Sequence, residues 1–115
     1  INEINIKKAS RSAGLFYGNK MGKFQKIICS STPTLVEFYG TWCTPCRTMN
    51  PILDELKIQR KDSLSVVKID VDKNLEITNQ YKIRSVPTLI LFKSGEIVWR
   101  KSGVMSIKEI LALVN

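Results

Sequence analysis

Three observations predict an α/β sandwich in which helices cover both faces of a mixed sheet of four or five strands. Apolar, strand-like runs at Thr34–Tyr39, Ser65–Val71 and Thr88–Phe92 alternate with stretches of helical periodicity. The first of these runs is apolar on both faces, as a central strand covered by helices must be. The last is followed by a turn and a second strand-like run, which calls for an antiparallel hairpin. A chain of 115 residues leaves room for one such core and no more.

Taken in order, residues 1–20 read as a basic, polar extension. Asn2–Ser12 has no period, and the short apolar run Leu15–Tyr17 is a candidate strand. The chain begins at Ile1, so an upstream segment is expected to have been removed or omitted, and residues 1–20 contain no apolar core of a secretory signal. The folded domain is expected over 21–115. It starts with a short helix through Phe24, Ile27 and Ile28, closed by the turn-like Ser30-Ser31-Thr32-Pro33. After the strand Thr34–Tyr39, the residues Met49, Ile52, Leu53 and Leu56 recur at i, i+3, i+4 and i+7 and define one face of a helix. Pro51 lies inside that helix and should kink it, because proline has no N–H and its ring meets the carbonyl one turn back.

Ser65–Val71 follows as a buried strand, Asn74–Tyr81 as a shorter helix and Thr88–Phe92 as a third strand. Lys93-Ser94-Gly95-Glu96 reads as a hairpin turn leading into Ile97–Lys101. Gly103 precedes a last helix, in which Ser106 and Glu109 have capping-box spacing and Ile107, Ile110, Leu111 and Val114 form the apolar face.

Composition removes several classes of function. With 43% hydrophobic and 24% charged residues the chain is neither disordered nor repetitive. No apolar run approaches the roughly 18 to 20 residues that span a bilayer. The net charge of +8 would suit nucleic acid, but residues 1–26 carry six of the basic residues and one acidic residue, which accounts for +5 of it. No aromatic platform or nucleic-acid motif is interleaved with them, so no nucleic-acid partner is expected. Histidine is absent, which removes the commonest metal ligand and general base together. Three cysteines, Cys29, Cys43 and Cys46, are too few for a disulfide scaffold or an all-cysteine zinc site.

Cys43 and Cys46 lie three positions apart at the strand-to-helix junction, a spacing that can close a small disulfide ring or present two thiols together. At a helix N-terminus unpaired N–H groups and the macrodipole favour an anion, which makes Cys43 the expected nucleophile. Cys46, one turn further on and expected to be less exposed, suits the resolving role. A structural thiol pair or half of a metal site remains the alternative for a C-x-x-C read alone. Cys29, outside the pair, reads as a small buried hydrophobe, with a regulatory or dimerising thiol as the other reading.

The run Val36-Glu37-Phe38-Tyr39-Gly40-Thr41-Trp42-Cys43-Thr44-Pro45-Cys46-Arg47, continued by Pro51-Ile52-Leu53-Asp54-Glu55-Leu56, resembles the thioredoxin family. So does Val86-Pro87-Thr88-Leu89 followed by Phe92-Lys93-Ser94-Gly95-Glu96, at the family's spacing, and the similarity covers roughly residues 24–115. The resemblance implies a thioredoxin fold and a protein disulfide reductase that needs no metal or organic cofactor. By that likeness Cys43 attacks a substrate disulfide and Cys46 releases the product. Trp42, Thr44 and Pro45 would flank the sulfurs and meet substrate, with Thr44 replacing the usual glycine and so altering the potential.

Pro87 matches the family's cis-proline, with Val86 positioned to hydrogen-bond the substrate backbone and Gly103 leaving room for it. Glu37 matches the family's buried aspartate, a possible proton acceptor for the resolving thiol, and Lys68 matches the lysine beside that acid. Tyr39 stands where tryptophan is more common. The implied partners are disulfide-containing proteins and an electron donor, either thioredoxin reductase for a cytoplasmic monomer or a membrane thiol-transfer protein for an exported one. The alternatives are an exported thiol-disulfide oxidoreductase of the cell envelope and a non-catalytic docking module on the same fold.

Overall fold

The computed structural model describes residues 2–3 and 20–114. A five-stranded mixed sheet in the order β1-β3-β2-β4-β5 forms the centre. Its strands are β1 (Asn2–Glu3), β2 (Thr34–Tyr39), β3 (Ser65–Asp70), β4 (Thr88–Lys93) and β5 (Glu96–Ser102). The helices are α1 (Lys20–Ile28), α2 (Thr44–Arg60), α3 (Leu75–Gln80) and α4 (Ile107–Val114). β1, β3 and β2 run parallel, whereas β4 is antiparallel to both β2 and β5.

Side-chain alternation on the central strands sorts the core into two layers. Val36 and Phe38 of β2, with Ile90 and Phe92 of β4, pack against Phe24 and Ile28 of α1 and Ile77 of α3. Phe24, Tyr81 and Phe92 meet edge to face there, with ring centroids 5.4–5.8 Å apart. On the other face Leu35, Leu89 and Leu91 pack against Met49, Leu53 and Leu56 of α2 and Ile110 of α4. Glu37 belongs to this second face by parity, so an acidic side chain lies under α2 with none of its surface exposed.

The hairpin turn has the geometry its residues require, with Ser94 at φ 52° and Gly95 at φ 83°. In the last helix Ser106 Oγ accepts from the Glu109 N–H at 3.1 Å while Glu109 Oε1 accepts from the Ser106 N–H at 3.2 Å, a closed capping box. α2 continues through Pro51, whose ring lies on the exposed side, where the carbonyl left without a donor can be hydrated.

Two expectations about the fold differ from the structure. Asn2–Glu3, in a stretch without periodicity, forms β1 alongside Val67 and Lys68. A two-residue edge strand is held by backbone pairing and needs no side-chain pattern. Cys29 is exposed rather than buried, because it follows Ile28 at the end of α1 and lies just off the face that Phe24 and Ile28 turn to the core. The candidate strand Leu15–Tyr17 and most of the basic extension lie outside the described residues.

Candidate active site

The site forms where β2 stops and α2 begins. After Tyr39 the chain turns through Gly40, whose carbonyl accepts from the Cys43 N–H at 3.1 Å, and α2 starts at Thr44. Cys43 is its N-cap residue, extended at φ −91° and ψ 110°, and its sulfur accepts from the Cys46 N–H at 3.2 Å. A sulfur thus takes the place usually held by a serine or aspartate oxygen, and an otherwise unpaired helix N–H is directed at it. Pro45 occupies the first turn, where its missing N–H costs nothing. Cys43 and Cys46 are joined in a disulfide with their Cα atoms 5.3 Å apart.

The expected difference in exposure between the two cysteines is absent, since Cys43 is 4% and Cys46 3% exposed. The disulfide turns both sulfurs inward against Tyr39 and Val86. What distinguishes them is contact. Cys43 Sγ receives the helix N–H and lies 3.6 Å from the Val86 carbonyl oxygen.

Val86 and Pro87 arrive from the opposite side, joined by a cis peptide bond. Several hydrogen bonds fix their loop. Thr88 Oγ1 donates to the Ser85 carbonyl at 2.7 Å, the Gly103 N–H donates to the Pro87 carbonyl at 2.8 Å, and Arg100 reaches the carbonyls of Tyr81 and Lys82. Gly103 has φ +97°, a value that favours glycine, and a methyl group there would meet nothing within 4 Å. Beside this loop Trp42, Val71, Ile83, Arg84 and Val86 line a shallow groove of about 120 Å³. Trp42, Thr44 and Pro45 are exposed around the disulfide, with Trp42 65% accessible.

Trp42 is held by a residue the sequence reading did not select. Its Nε1 donates to Asp72 Oδ2 at 2.8 Å. Asp72 is itself positioned by Asp70, whose Oδ1 accepts from the Asp72 N–H at 2.9 Å, while Asn74 Nδ2 donates to the Asp70 carbonyl. Gly40 is needed for the same reason, because a Cβ there would lie 2.6–2.9 Å from the indole. Asp72 lies thirty residues from Trp42, and no local spacing links the two.

Glu37 and Lys68 come together in register across β2 and β3, with Lys68 Nζ 4.0 Å from Glu37 Oε1. Neither Glu37 oxygen has a hydrogen-bond partner among the described residues. Burial therefore pushes the carboxyl up to about 7, with the Lys68 ammonium pulling weakly the other way. Lys68 donates to Asn50 Oδ1 at 2.8 Å and lies 4.3 Å from the centre of the Tyr39 ring. Asn50 was also not selected from sequence. Lys68, Asn50 and Tyr39 line a cleft of about 200 Å³ with Cys46 and Arg47, so the lysine that pairs with the buried acid also borders the second cysteine.

A dithiol that can close into a disulfide at a helix N-terminus, beside a loop fixed by hydrogen bonds, can exchange two electrons with a disulfide that docks there. Comparison with known proteins agrees. The thioredoxin family model matches residues 18–115. A thioredoxin-like protein of Synechocystis is 46% identical over 93 residues, covering 80% of this chain and 89% of that protein. Thioredoxin Y1, chloroplastic, of Arabidopsis thaliana is 46% identical over 89 residues, which cover 77% of this chain and about half of that protein, 52%. A mutant thioredoxin from Halobacterium salinarum superposes with a TM-score of 0.72 at 32% identity, over 79% of each chain.

Proposed function

The chain belongs to the thioredoxin family, whose activity is thiol–disulfide exchange, and from that premise we propose that Cys43 attacks substrate disulfides and Cys46 resolves the adduct. The observation that carries this assignment of roles is the 3.2 Å contact from the Cys46 N–H to Cys43 Sγ in the disulfide, which directs a helix N–H at the place a thiolate occupies in the reduced protein. In the reduced protein the Cys43 thiolate attacks one sulfur of the substrate. A Cys43–substrate disulfide forms, and the other substrate sulfur leaves as a thiolate. Cys46 then loses its proton, with Glu37 as the acceptor, and its thiolate attacks Cys43 Sγ. The Cys43–Cys46 disulfide closes, the second substrate thiolate leaves, and both substrate thiolates take protons from solvent. Two electrons have moved from the dithiol to the substrate.

Trp42, Thr44, Pro45, Val86, Pro87 and Gly103 form the surface against which the substrate chain lies. Val86 offers its backbone beside the reacting sulfur, and Pro87 follows it through the cis bond. The oxidised pair must be reduced again from outside. We assign that step to a flavin-dependent thioredoxin reductase acting on a cytoplasmic monomer, with a membrane thiol-transfer protein as the donor of an exported form. Among the described residues no helix is long and apolar enough to cross a membrane.

Insulin reduction tests the roles. Cys43→Ser should abolish turnover, and Cys46→Ser should accumulate a covalent adduct with the substrate. Turnover of Cys43→Ser at the unsubstituted rate would end the assignment. Coupling to NADPH through thioredoxin reductase, with the purified chain as acceptor, tests the donor.

A further inference from the structure

Asn50 lies on α2, one turn after Cys46, and its side-chain oxygen is the nearest acceptor to Lys68 Nζ, at 2.8 Å against 4.0 Å for Glu37 Oε1. The ammonium therefore makes its hydrogen bond to a neutral amide at the rim of the cleft and not to the buried carboxyl facing it across the sheet. Both Glu37 oxygens are left without a hydrogen-bond partner among the described residues, although a lysine is close enough to supply one after a shift of about an ångström. The groups that share the cleft with Lys68 are Tyr39 of β2 and Cys46, Arg47 and Asn50 of α2. β1 brings the backbone of Glu3 into register with Lys68, and β4 places Leu89 opposite Glu37.

We propose that Asn50 is a positioning residue, whose amide holds the Lys68 ammonium back from Glu37 and so keeps the buried carboxyl able to take up and release a proton. Direct contact with Lys68 would fix Glu37 as a carboxylate in an ion pair, a poor acceptor for a thiol proton. Without any ammonium nearby, burial would hold it protonated and equally unable to accept. The intermediate placement gives a group that changes state near neutrality, where a general base is most useful. The inference rests on Glu37 receiving the Cys46 proton as far as turnover is concerned, but not as far as Glu37's own titration is concerned.

The test is a carboxyl-carbon NMR titration of Glu37 in the reduced protein, run beside the pH profile of insulin reduction. Asn50 is half-buried on a helix, and alanine there favours the helix, so the variants should fold. Asn50→Ala releases Lys68 toward Glu37 and should lower the midpoint by about one unit. Asn50→Asp draws the ammonium further away and adds a negative charge, and should raise it. In a Lys68→Met background Asn50→Ala should leave the midpoint where Lys68→Met alone puts it. An unchanged midpoint in Asn50→Ala, or a shift that persists without Lys68, would overturn the proposal. If the midpoint moves as expected while the turnover profile stays fixed, the positioning role stands and the proton-acceptor role of Glu37 falls.

Discussion

Trp42 Nε1 donates a hydrogen bond to Asp72 Oδ2 at 2.8 Å, tying the residue before Cys43 to the turn after β3. An indole that is 65% exposed would otherwise rotate freely beside the disulfide. Removing the acceptor should therefore cost order at the site more than stability of the fold. Asp72→Ala should change global stability by no more than about 1 kcal/mol, as expected of an exposed hydrogen bond. It should raise KM for insulin several-fold and alter tryptophan fluorescence. Unchanged KM and emission would show that the bond has no part in docking.

Gly40→Ala should produce the same defect by another route. A Cβ placed 2.6 Å from the Trp42 ring forces the indole off Asp72. The Gly40→Ala/Asp72→Ala double variant should then be little worse than the more impaired single variant, because both remove one interaction. Additive losses in kcat/KM would mean that the two residues act separately.

Glu37 makes stability depend on pH in a direction opposite to most carboxylates. Its carboxyl is raised from 4.5 to about 7 by burial, so the folded chain binds the proton more tightly than the unfolded chain. Stability from this group is complete below about pH 4.5, is lost as pH rises through about 7, and is level above that. The shift corresponds to about 3 kcal/mol. Glu37→Gln should abolish most of this decline and be more stable than the unsubstituted chain by a few kcal/mol near pH 8, but not in acid. Urea unfolding across this range checks it, and parallel pH profiles for the two proteins would refute it.

The capping box of α4 gives a smaller effect. Ser106→Ala removes the acceptor for the Glu109 N–H and should cost about 1 kcal/mol in urea unfolding. Hydrogen bonds from the Ser106 N–H and Lys101 hold the Glu109 carboxyl below its usual value. The contribution of the carboxylate is therefore present at neutral pH and fades as the solution is acidified through that lowered value. No change in denaturation midpoint on Ser106→Ala would show that the helix end is held by packing alone.

Much of the fold was legible because burial imposes period 2 on strands and 3.6 on helices. Thr34–Tyr39 is apolar on both faces and is the central strand, and Met49, Ile52, Leu53 and Leu56 mark the buried stripe of α2. The Asn2–Glu3 strand was not legible, since backbone pairing alone holds it. Cys29 was misjudged because one residue of helical rotation separates the core from solvent, and no pattern in so short a helix fixes where the chain leaves it. Within the site, Cys43, Cys46, Val86 and Pro87 came from two local motifs. Asp72 and Asn50 carry no motif and were reached only through their partners.

Sequence alone suffices for the dithiol and its place at the start of a helix, with Glu37 on a strand that burial covers on both faces. These follow from spacing and parity along one segment of chain. Tertiary structure decided which distant groups meet that segment: Asp72 on Trp42, Val86 against Cys43, and Lys68 shared between Asn50 and Glu37. The physical reason is that charge and hydrogen-bond energies depend on separations of a few ångströms, and those separations are set by how the strands pair and the helices pack.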